Sequence, residues 1–230
     1  MAKAEELMAE GNSCYAAGRY DAAINHFTQV INLKPKCAGA YNNRGNAYRQ
    51  KGAYDHAIAD YNRATAIDPS LAKAWHNRGE VLCRLGDFRS AITDFGRAIA
   101  LKPSDYWSLH LRGRCHYRLG DPTAAINDCT RSMNVNPDLP GNYSLRGLAH
   151  CARREFDLAI ADCRRAIEFN PHCAPAMIGL GEAYEGLGKP NEATYWYEHA
   201  LVRRKELTDI ERNKAETALK RLKVEHASVH

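Results

Sequence analysis

"AYNNRGNAYRQKGAYDHAIADYNRATAIDP", residues 40–69, holds two apolar patterns of helical period separated by one glycine. Ala40, Tyr41, Ala47 and Tyr48 recur at helical spacing before Gly52, and Ala57, Ile58, Tyr61 and Ala64 do so after it. Gly52 interrupts the chain between the two runs, and Pro69 keeps the second from continuing. The stretch reads as a helical hairpin.

The same pattern returns along the whole chain with a step of 34 residues. Gly11, Gly45, Gly79, Gly113, Gly147 and Gly181 share one column, and Ala23, Ala57, Ala91, Ala125, Ala159 and Ala193 share another. Phe27, Tyr61, Phe95, Cys129, Cys163 and Tyr197 fill a third, and Pro35, Pro69, Pro103, Pro137 and Pro171 close five units. Six units fit without insertion: 4–37, 38–71, 72–105, 106–139, 140–173 and 174–207. One such hairpin cannot bury its own apolar face, so the units must stack, and an all-α solenoid is expected.

These columns resemble the tetratricopeptide repeat (TPR) family over residues 4–207. The order aromatic, Gly, Tyr, Ala, aromatic, Ala, Pro carries the resemblance. It departs most in repeats four and five, where His116 and His150 replace the tyrosine, and in repeat six, where Lys205 stands in the place of the closing proline. The resemblance implies a right-handed superhelix of six helix-turn-helix repeats whose first helices line a concave, peptide-binding surface.

Thr208 followed by Glu211 is a capping-box pattern that opens a further helix over 209–224. Its Ala215, Ala218, Leu219 and Leu222 form one apolar stripe, as expected of a lid over the last repeat, within a C-terminal segment 208–230. A partner-binding amphipathic helix is the alternative.

Arg44, Arg78, Arg112 and Arg146 recur in step with the repeat, each followed sixteen residues later by Asp60, Asp94, Asp128 and Asp162. Arg44 and Asp60 lie equally far from Gly52, which places them at similar height in an antiparallel hairpin. The first unit has Glu10 and His26 in these places, and the last has Leu180 and Trp196. Charge occupies both columns or neither, as a contact requires. The arginines are therefore expected to serve the fold, within a unit or between neighbours, through guanidinium–carboxylate pairs.

First-helix residues not consumed by packing are the candidate binding residues. They are Asn12, Asn43, Asn46, Arg49, Lys73, His76, Asn77, Arg84, Trp107, His110, Arg114, Tyr117 and Arg118, with Ser144, Leu148, Ile178, Glu182 and Glu185 further along. A strip that is amide-rich, then basic and aromatic, suits an extended acidic or carboxylate-ended peptide. Some members of the family clamp the C-terminal carboxylates of heat-shock chaperones with lysine, two asparagines, lysine and arginine. Asn12, Asn43 and Lys73 match that pattern, whereas Met8 and Asn77 replace two of its three cations.

Bulk properties narrow the classes further. The 230-residue chain carries a net charge of +5 with 26% charged residues, too mild a bias for a dedicated phosphate-backbone binder. No run approaches the roughly eighteen apolar residues of a membrane span, and "MAKAEELMAEG" lacks the apolar core of a signal peptide. The eight cysteines form no C-x-x-C pair and suit a reducing cytoplasmic setting. Cys129 and Cys163 replace aromatic residues in a packing column and are expected to be buried. His76 and His110 hold equivalent positions in successive units, but helices packed about 8–10 Å apart do not converge donors at about 2 Å, so no metal is expected. No phosphate loop, nucleophile elbow or zinc-protease helix occurs. The expectation is a non-enzymatic adaptor without cofactors, binding a protein or peptide. A co-chaperone-like adaptor or a regulatory or targeting subunit of an enzyme complex is the alternative, and RNA binding is less favoured. Self-association through the apolar end surfaces is left open.

Overall fold

The computed structural model describes residues 2–203 and 207–227, the last five by backbone alone; Lys205 lies outside them. Twelve helices alternate along the hairpins: α1 (Ala2–Ala16), α2 (Tyr20–Leu33), α3 (Ala38–Gln50), α4 (Tyr54–Ile67), α5 (Ala72–Leu85), α6 (Phe88–Leu101), α7 (Tyr106–Arg118), α8 (Pro122–Val135), α9 (Pro140–Ala152), α10 (Phe156–Phe169), α11 (Ala174–Gly186) and α12 (Pro190–Val202). A thirteenth, α13 (Asp209–Ala227), follows, and no strand occurs among the described residues. The chain divides into two compact units, Met1–Cys115 and His116–His230.

Each hairpin turns through one residue of left-handed backbone. Gly52 does this at φ 75°, which costs glycine nothing because it lacks a Cβ. In the fifth hairpin Arg154 takes that place at φ 63°, a conformation L side chains resist by about 1–2 kcal/mol.

In the first unit the hairpins close by setting a bare backbone against a ring. A Cβ added to Gly45 would fall 2.8 Å from Tyr61, and one added to Gly79 would fall 3.0 Å from Phe95. Tyr61 and Phe95 are fully buried, as are the column alanines Ala57 and Ala91. Successive hairpins then share small cores, such as Val81 of α5 with Ala57 and Tyr61 of α4. The ends of α6 and α7 are joined by Ile99, Leu109, Leu111 and Cys115 packed with Phe95.

The arginine column fastens these hairpins. Arg44 donates from Nε and Nη2 to the two Asp60 carboxylate oxygens at 2.8 and 2.7 Å. Arg78 holds Asp94 in the same way at 2.7 and 2.6 Å. The remaining Nη1 reaches back to the preceding hairpin, to Thr28 Oγ1 from Arg44 and to Asn62 Oδ1 from Arg78. Of the two arrangements expected for these Arg–Asp pairs, the one within a unit occurs, and the third guanidinium nitrogen adds a tie to the neighbour. Glu10 and His26 face each other at 3.2 Å in the first hairpin.

The second unit repeats the scheme with Arg146 on Asp162 and Thr130. Cys163 replaces the ring and sits against the backbones of Gly147 and Gly179, fully buried. Cys129 is fully buried too, as its column requires. Thr208 and Glu211 form the reciprocal cap of α13: the Thr208 N–H and hydroxyl donate to Glu211 Oε2, and the Glu211 N–H donates to Thr208 Oγ1. Ala215, Ala218, Leu219 and Leu222 are buried in one cluster with Leu180, Tyr197 and Ala200, so α13 covers the last hairpin.

Candidate binding face on the first helices

Side chains from α1, α3, α5 and α7 meet across the first unit about one repeat apart. Asn43 donates to Asn12 Oδ1 at 2.9 Å and to Met8 Sδ at 3.8 Å. Asn42 donates to Asn43, and Asn77 of α5 donates to Asn42 at 2.9 Å. Asn12, Asn43, Asn42 and Asn77 therefore form one amide relay over three helices, with Asn12 exposed and Asn42 buried.

Two of the candidate cations are already engaged. Arg49 bonds Glu80 Oε2, while Arg84 bonds Glu80 Oε1 at 3.0 Å, so one carboxylate answers both. Asn46 accepts from the buried Tyr61 hydroxyl at 2.7 Å and thereby holds the packing ring in register. The spacing of 31 between Arg49 and Glu80, equal to that of Asn12 and Asn43, was the sequence signal for this bridge.

His76 Nδ1 lies 2.7 Å from Ser108 Oγ, which donates to Asp105 Oδ2 at 2.7 Å. Burial holds His76 below the usual imidazole range, against the pull of Asp105 and Glu80, so it stays neutral at physiological pH. His110 is buried at 8% exposure, its ring edge-on to Trp107. These two histidines share a column with Asn42, Ser144 and Ile178. Asn42, Ser144 and Ile178 are buried as well, so the column is a seam between first helices and not open surface. Leu148 is likewise buried.

What remains open on the first unit is Lys73 of α5 with Trp107 and Arg114 of α7. Lys73 and Arg114 are exposed, neither pairs with a carboxylate among the described residues, and Trp107 is 45% exposed. Arg114 Nη2 lies 3.8 Å from Cys83 Sγ.

The second unit differs. Tyr117 is half-buried against the cluster around Leu148, and burial raises its hydroxyl pKa; Arg118 is exposed at the end of α7. Lys214 of α13 pairs with Glu182 at 2.7 Å, and Arg221 pairs with Glu185. Burial pushes the Glu182 carboxyl up and Lys214 opposes that shift. A cleft of about 620 Å³ lies among these residues with Tyr197, Asn213 and Thr217. The acidic end of the expected groove is thus met by cations of the capping helix.

Among the described residues no helix is long and apolar enough to cross a membrane, and no group of three His, Cys, Asp or Glu could hold a metal ion.

Profiles described as TPR repeat match residues 11–49 and 45–86, and profiles described as tetratricopeptide repeat match 72–105 and 144–206. The chain belongs to the tetratricopeptide repeat family. A curated relative, Hsp70-Hsp90 organizing protein 3 of Arabidopsis thaliana, is 44% identical over 45 residues. That stretch is 20% of this chain, and the chain spans about 8% of the length of the curated relatives it matches. Among solved structures, MamA protein is 25% identical with a TM-score of 0.66, covering 74% of this chain and 92% of that one. A tetratricopeptide repeat protein from Parabacteroides merdae reaches a TM-score of 0.73 at 18% identity, covering 97% and 93%. The family is built for protein–protein interaction, and its fold is in general a non-catalytic scaffold.

Proposed function

We propose that this protein is a non-enzymatic adaptor that holds an extended, acidic or carboxylate-ended peptide against the first helices of its first unit. The observation that carries this reading is the exposed trio Lys73, Trp107 and Arg114. Lys73 and Arg114 are exposed cations on the helices that also carry the 45% exposed Trp107, and aromatic and arginine side chains are where binding energy concentrates. Of the amide relay, Asn12, Asn43 and Asn77 keep exposed surface and supply directional partners for a peptide backbone.

Recognition of heat-shock chaperone tails is the second reading, favoured by the short likeness to the Arabidopsis organizing proteins. Met8 and Asn77 weaken it, because both stand where that clamp places cations and both are tied into the amide relay. Any carboxylate clamp here rests on Lys73 and Arg114.

A panel of acidic decapeptides, each with a free or an amidated C-terminus, tests the reading by fluorescence polarisation. Lys73→Glu with Arg114→Glu should abolish binding while circular dichroism stays helical. Wild-type affinity in that variant, or no binding by any acidic peptide, would overturn it. Loss on amidation alone would assign the recognised group to the terminal carboxylate.

A further inference from the structure

Cys83 on α5 and Cys115 on α7 stand 32 positions apart, yet their sulfurs lie only 3.3 Å from each other. Their burial is unequal. Cys83 keeps 9% of its surface and Cys115 keeps none. Arg114 brings its guanidinium to 3.8 Å from the Cys83 sulfur, so two donors converge there: an arginine N–H and the Cys115 thiol. The thiolate is the reactive form of cysteine, and an adjacent cation favours it.

Cys129, Cys151 and Cys163 have a different setting. Burial pushes Cys129 and Cys151 up to about 12 and raises Cys163 as well, and the Cys151 thiol points to the Gly179 carbonyl at 3.3 Å. They are packing groups.

We propose that Cys83 and Cys115 form a redox-active dithiol that closes to an intramolecular disulfide when it meets a peroxide. The Cys83 thiolate attacks one peroxide oxygen; an S–O bond forms, the O–O bond breaks, and the departing hydroxide takes a proton to leave as water. Cys83 is now a sulfenic acid, oxidised by two electrons. The Cys115 sulfur then attacks the Cys83 sulfur. The S–S bond forms, the S–O bond breaks, and hydroxide leaves as a second water with the Cys115 proton. Two thiols and one peroxide give one disulfide and two waters. Access sets the order, because only Cys83 reaches the surface. Closure needs the sulfurs to move from 3.3 Å to a bond of about 2.05 Å, within the reach of side-chain rotation and a small helix shift. In a reducing compartment such a bond is transient and signals oxidant rather than staples the fold.

The test treats the full chain with hydrogen peroxide, blocks remaining thiols with N-ethylmaleimide after denaturation, and maps peptides by mass spectrometry without reductant. The expected result is a Cys83–Cys115 cross-linked peptide that dithiothreitol removes. In Cys115→Ser, a sulfenic acid at Cys83 should be trapped by dimedone, and Arg114→Gln should slow oxidation several-fold. Full maleimide labelling of both cysteines in oxidant-treated, helical wild type would overturn the proposal. So would a bond from either cysteine to a different one.

Discussion

Arg44 and Asp60 meet through two parallel hydrogen bonds, and the guanidinium's third nitrogen reaches Thr28 on the preceding hairpin at 3.0 Å. One side chain thus fixes both the closure of its own hairpin and its seat on the one before. Burial on the carboxylate side makes the pair sensitive to the loss of one member, since a lone carboxylate would be left without its counter-charge.

The equivalent pair in the third repeat gives the clearest test. Asp94 is 2% exposed, and Arg78 also lies over the Trp75 ring at 4.9 Å. Asp94→Ala should cost about 3 kcal/mol in urea unfolding. Arg78→Leu with Asp94→Leu should recover part of that, as the apolar Leu180 and Trp196 in the last repeat suggest. Simple addition of the two single losses would refute the coupling.

Two glycines of α3 should respond with opposite signs. A Cβ at Gly45 enters the Tyr61 ring, so Gly45→Ala should destabilise by about 1–3 kcal/mol. Gly39 has nothing within 4 Å, and Gly39→Ala should stabilise by about 0.5 kcal/mol through helix propensity. Equal changes at the two sites, read by thermal melts, would contradict the close approach at Gly45.

The fifth hairpin turn carries relievable strain. Arg154 is exposed and left-handed where the sister turns have glycine. Arg154→Gly should raise unfolding free energy by about 1 kcal/mol. A loss of stability on that change would mean the Arg154 side chain holds something the backbone strain conceals.

Acid should weaken the first unit through His76. Burial depresses its pKa, so as pH falls below about 6.5 the unfolded chain binds more protons than the folded one, and stability drops. His76→Gln should show a smaller fall in melting temperature between pH 7 and pH 5 than wild type. Parallel curves would remove His76 as a contributor.

The hairpins, the arginine pairs and the α13 cap were legible because each repeats, or ends, a periodic pattern. Surface assignment was not. A column of constant phase placed His76, His110, Ser144 and Ile178 together on the expected groove, but phase alone does not say how closely the next first helix approaches. The chain fills that seam with amide, imidazole, hydroxyl or aliphatic groups as each interval allows. The neutralisation of Arg49 and Arg84 by Glu80 and the meeting of Cys83 with Cys115 are likewise contacts between repeats. They depend on the offset between adjacent hairpins, which a single hairpin pattern does not contain.

The fastening arginine finds both partners sixteen residues away, one on either side. A tandem copy of residues 28–61, which hold Thr28, Arg44 and Asp60, therefore arrives with a complete joint and needs no matching change elsewhere.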